Sequence, residues 1–143
     1  MKRKLFFLTF WIAGIIFPFG ALTLLSRSYA RWFKWIFASE VLHVAAHLML
    51  FGILAVALAV TFAPNEWDAR ARVARPSKTL SRLLLIWFVV AVVAALQEAL
   101  QLMYKARPLG ANEWFDIGVD VSGAAMGLFV LWSIGRLVRP TDQ

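Results

Sequence analysis

The chain has 143 residues, of which 62% are hydrophobic and only 16% charged, well under the roughly 25% charge of an ordinary soluble domain. A soluble core of this length cannot cover so many apolar side chains, so the expected solvent is a bilayer. The absence of cysteine excludes disulfides, thiolate catalysis, iron–sulfur clusters and cysteine zinc sites, and the net charge of +7 lies between apolar runs, where it fixes orientation and meets anionic lipid headgroups rather than nucleic acid. The first run, residues 5–25, follows Lys2, Arg3 and Lys4. It is longer than the roughly 7–15 residues of a signal-peptide core and reads as a retained transmembrane helix, kinked at Pro18.

Residues 26–39 mix Arg27, Arg31 and Lys34 with Tyr29, Trp32, Phe33, Trp35 and Ile36, a composition that favours a short helix lying in the membrane interface. Three further apolar runs follow at residues 41–62, 83–104 and 115–135. Each is long enough to cross a hydrocarbon core of roughly 30 Å at about 1.5 Å per residue. The segment 64–82 is polar and basic, and Pro76 is expected to break any long helix there. Residues 105–114 form a short turn marked by Pro108 and Gly110. The expected architecture is therefore all-α: one integral membrane domain over 1–143, a four-helix transmembrane bundle with a short interfacial helix between helices one and two.

Orientation follows from the cations. With a cytoplasmic N-terminus, ten of the fifteen Lys and Arg residues fall inside and five outside, so both termini are expected in the cytoplasm. Trp32, Trp35 and Trp114 then lie near the outer interface and Trp87 and Trp132 near the inner one, as aromatic belts require.

The intramembrane polar residues fall at one depth. His43 and His47 lie in the outer half of helix two, Gln97, Glu98 and Gln101 in that of helix three, and Asp116 and Asp120 in that of helix four, with Arg107 in the adjoining loop. Pairs three or four residues apart share a helix face. Ionisable groups facing lipid cost a few kcal/mol each on insertion scales, at roughly 2.5–3.5 for a charge at mid-membrane, so these side chains should face one another or a polar cavity. His43, Glu98, Gln101, Arg107, Asp116 and Asp120 form the candidate polar site; His47 reads more as a satisfied core imidazole. Two readings of the set stay open, a working site and a structural network between helices. Gly123 and Gly127, in the run GAAMG, make a small-residue surface for close helix packing, within the chain or between copies. The His and carboxylate set could in principle take a metal, but HExxH-type spacing is absent, so no metal is assigned, and no cofactor is expected.

The order of these residues resembles the VanZ-like family of small bacterial membrane proteins. Glu40 and His43 resemble the family's acidic residue and histidine at a helix start. QEALQLMYKAR, with Glu98, Gln101 and Arg107, resembles its glutamate, glutamine and arginine, and DIGVDVSGAAMG, with Asp116, Asp120, Gly123 and Gly127, its aspartate, polar residue and glycine pair. Glu40 stands where the family often has aspartate, and Asp120 where it often has asparagine. The resemblance covers roughly residues 40–130. It implies a bacterial envelope protein with a site on the outer side and implies no reaction; the expected function is that of a multi-pass inner-membrane protein binding or acting on an envelope lipid or glycopeptide-type ligand. Arg107 would hold a phosphate or carboxylate there, and Glu98 and His43 would exchange protons. The competing expectation is a non-catalytic accessory subunit of a larger membrane complex; ion conduction is disfavoured by the apolar inner halves of the helices.

Overall fold

The computed structural model describes residues 2–16, 22, 25–36, 38–62, 76–106 and 108–137. Among these residues there are five helices and no strand: α1 (Lys2–Ile16), α2 (Arg27–Ile36), α3 (Glu40–Phe62), α4 (Pro76–Lys105) and α5 (Ala111–Leu137). Three of them contain a stretch long and apolar enough to cross a membrane: Glu40–Phe62, Thr79–Met103 and Ala111–Ile134. Large apolar side chains such as Met49, Phe88 and Phe129 stand on the outside of these helices, as expected where lipid is the solvent.

Of the first apolar run, the described helical part is Leu5–Ile16, and Leu25 lies in a turn. Pro18, with its expected kink, falls outside the described residues. Pro76 opens α4, because a first helical position has no intrahelical use for the N–H that proline lacks. The last helix starts at Ala111, earlier than the apolar run, because Glu113 Oε2 accepts a hydrogen bond from the Gly110 N–H at 3.0 Å and caps its polar first turn. Between these helices Ala106 takes a φ of 49°, the left-handed conformation that ends helices, with Pro108 two residues on.

α3 packs most extensively on α5, α4 covers both, and α1 lies against α3 and α4. α3 and α5 run in the same direction, as shown by the matched pairs His43–Asp116, His47–Asp120 and Gly52–Gly127, and α4, which connects them in the chain, packs against both. On α5 the contact positions are Asp116, Asp120, Gly123 and Gly127, a 4-3-4 spacing that keeps one stripe facing a partner helix. At Gly123 an added Cβ would lie 2.5 Å from the Leu48 carbonyl oxygen and 2.8 Å from its Cα, and at Gly127 it would strike the Gly52 carbonyl. The backbones meet where side chains would stand, so the small-residue surface is used within the chain, against α3. Below it the core is filled by Phe51, Leu54, Leu58, Val90 and Leu128. Two indole N–H groups bridge helices to backbone carbonyls: Trp11 to Leu50 at 3.3 Å and Trp87 to Val121 at 3.1 Å.

Candidate functional site

The buried stripes of three helices change chemistry at one end of the bundle, where α3 begins, α4 ends and α5 begins. On α4, Val90 and Ala94 are followed on the same face by Glu98; on α5, Asp120 and Asp116 precede Gly123 and Ala124; on α3, His47 and His43 precede Phe51. These polar side chains occupy positions that deeper in the bundle hold core residues, which is why they meet.

Two acid–imidazole pairs join α3 to α5. Asp120 Oδ1 accepts a hydrogen bond of 2.7 Å from His47 Nδ1, with the two side chains 10% and 0% exposed. One turn nearer the end, His43 Nε2 lies 3.4 Å from Asp116 Oδ1, with exposures of 36% and 23%. The two imidazoles are neighbours, with ring centroids 4.5 Å apart and tilted by 41°, and His47 is backed by the Phe51 ring. The site therefore grades from a half-exposed pair to a fully enclosed one. A carboxylate held against an imidazole fixes its tautomer and ring orientation, so His47 is preset by Asp120.

α4 brings the third carboxylate. Glu98 is buried and lies within electrostatic range of Asp116, His47 and Asp120. Gln101 Nε2 donates to Glu98 Oε1 at 3.4 Å, and Lys105 Nζ donates to Gln101 Oε1 at 2.8 Å, a ladder rising one turn at a time to the end of the helix. Asp120 Oδ2 and Gln97 Oε1 are buried acceptors without a hydrogen-bond partner among the described residues. Three carboxyl groups and two imidazoles thus lie at one end of the bundle.

The structure brings together His43, Glu98, Gln101, Asp116 and Asp120. Arg107 lies outside the described residues. Glu40 is exposed at the first turn of α3. His47, read from sequence as a core imidazole, is buried and satisfied, and it also makes the shortest contact in the cluster. The clue was available: His47 stands one turn after His43 on the same face, as Asp120 stands one turn after Asp116. Among the described residues no group of three or more His, Asp or Glu is arranged to hold a metal ion. No family model, curated protein or solved structure matches the chain.

Proposed function

We propose that this chain is a multi-pass protein of a bacterial inner membrane, similar to the VanZ-like family, whose polar cluster binds the polar head of an envelope lipid or a glycopeptide-type ligand. α1 and the rest of the first apolar run supply a fourth span, α2 lies along the surface, and both termini are cytoplasmic. The polar end of the bundle then faces outward. The observation that carries the reading is the gradient of exposure across the two acid–imidazole pairs, combined with the excess of carboxylates. Ionisable groups at membrane depth are costly, and a network serving only as glue needs matched pairs. An open outer pair, an enclosed inner pair and an additional buried glutamate are what a site entered from the membrane surface requires. His43, Asp116 and Gln101 form the entrance, Glu98 the central acceptor, and His47–Asp120 the enclosed pair that holds the entrance in place. Arg107 completes the set as the cation for an anionic group of the ligand.

Glu98→Gln tests this reading, since it keeps the shape and removes the charge. The measurement is native mass spectrometry of the lipid retained by detergent-purified protein, beside its thermal unfolding. The expected result is an unchanged unfolding temperature with loss of the retained species. A lowered unfolding temperature with retained lipid unchanged would make the cluster a structural network and favour the accessory-subunit reading. Orientation has its own test, because the chain has no native cysteine. Ala111→Cys is expected to react with a membrane-impermeant thiol reagent added outside and Ser77→Cys to be protected; the reverse pattern inverts the topology.

A further inference from the structure

α2 stands apart from the bundle in chemistry. Helix packing in the described residues is dominated by α1, α3, α4 and α5, while α2 keeps its cationic side exposed and has Tyr29 and Phe33 half-buried. Its cations Arg27, Arg31 and Lys34 stand four and three residues apart, one stripe on a helix of 3.6 residues per turn. All three are exposed, and the helix carries no acidic residue. The opposite stripe holds Tyr29 and Phe33, whose rings lie 5.8 Å apart, with Trp32 beside them. Trp32 and Trp35 are 65% and 75% exposed. No ion pair is recorded for the three cations among the described residues.

This pattern runs against the orientation rule. Three of the five cations assigned to the outer side sit on this one short helix, where they weaken the bias that sets the topology. Cations whose purpose is orientation belong on the other side. A row of cations opposite a row of aromatic rings matches a surface of phosphates over hydrocarbon: the rings enter the acyl boundary and the guanidinium and ammonium groups stay at phosphate level.

We propose that α2 is a binding helix for anionic phospholipid, holding lipid phosphates with Arg27, Arg31 and Lys34 at the start of α3. Only residues 37–39 separate it from α3, whose first two turns carry Glu40, His43 and His47. A helix seated on anionic lipid thereby fixes the level at which the His43 entrance meets the membrane surface. The inference rests on the membrane reading but not on any ligand in the polar cluster.

The test uses the full chain in vesicles of phosphatidylcholine with a trace of spin-labelled lipid, comparing the relative association of labelled phosphatidylglycerol and phosphatidylcholine with the protein. The wild-type chain is expected to prefer phosphatidylglycerol. The triple variant Arg27→Gln, Arg31→Gln, Lys34→Gln is expected to lose about twofold or more of that preference, and high salt to have the same effect. A control that removes the same charge elsewhere, Arg70→Gln, Arg72→Gln, Arg75→Gln, is expected to retain more of it than the α2 variant. Equal losses in the two triple variants would reduce the effect to net charge and overturn the proposal, as would an unchanged preference in the α2 variant. A depth-quenching measurement provides a second readout: a label at Phe33→Cys is expected deeper in the bilayer than one at Ser28→Cys, and the opposite order would also overturn it.

Discussion

The interface between α3 and α5 has two halves built on one spacing. Toward its middle, Gly52, Gly123 and Gly127 bring the backbones together; toward the polar end, His43, His47, Asp116 and Asp120 face one another along the same stripe. The glycine half has almost no directional chemistry, and its contribution is distance. The polar half depends on distance entirely, because a hydrogen bond of 2.7 Å between two short side chains on neighbouring helices exists only if the helix axes are held close. Gly123 lies three residues after Asp120, so one of the two close backbone approaches is less than one turn from the shortest polar contact. One half sets the geometry that the other uses.

The largest effect is expected from filling the glycine half. Gly127→Leu places a branched side chain where the Gly52 backbone already stands, and neither backbone can yield without separating the helices. Overpacking of this kind costs about 3 kcal/mol or more, measurable as a fall in unfolding temperature in detergent. If distance is what the glycines supply, the His47–Asp120 bond is lost as well, and imidazole NMR shifts of His47 move toward those of an Asp120→Leu variant. An unchanged His47 signal in Gly127→Leu would separate the two halves.

A smaller effect is expected in the polar half, and there the double variant is more informative than the single one. Asp120→Leu leaves His47 enclosed with no carboxylate, at a cost of roughly 1–3 kcal/mol for an unpaired buried polar group. His47→Leu with Asp120→Leu removes both partners and is expected to recover part of that loss, since an apolar pair of similar volume suits a buried position. A double-mutant cycle in chemical denaturation reads the coupling directly. A value above the ~0.6 kcal/mol average of interhelical hydrogen bonds in membranes is expected for this pair. Strict additivity would mean that the pair contributes no coupling.

The smallest effect belongs to the outer pair. His43 and Asp116 are partly exposed and 3.4 Å apart, so His43→Ala is expected to cost no more than about 1 kcal/mol, the range of solvent-screened pairs. It is expected to weaken ligand retention all the same, because the entrance is lost while the enclosed pair stays. A loss of stability as large as that of Asp120→Leu would remove the distinction between entrance and support.

Much of this was determined by sequence alone. Of four apolar runs long enough for a bilayer, three are long helices among the described residues, and spacings of three and four fixed which polar residues share a face, because helix periodicity is a local property. Glu98 with Gln101, and His43 with His47, needed no partner helix to be placed together. The amphipathic α2 was equally legible, since its two stripes are written within ten residues. Helix starts were less so: the capping of α5 by Glu113 at Gly110 places its start before the apolar run. What only the tertiary structure decided is relative position between helices. Nothing in the run GAAMG says whether it packs on α3 or on a second copy; the approach of Leu48 and Gly52 decides it. Sequence equally left His47 as a bland core residue, because the worth of a buried imidazole depends on what stands across from it, and Asp120 is 73 residues away. Periodicity assigns each side chain a face, whereas the pairing of faces depends on axial register, which the close packing of Gly123 and Gly127 against α3 sets.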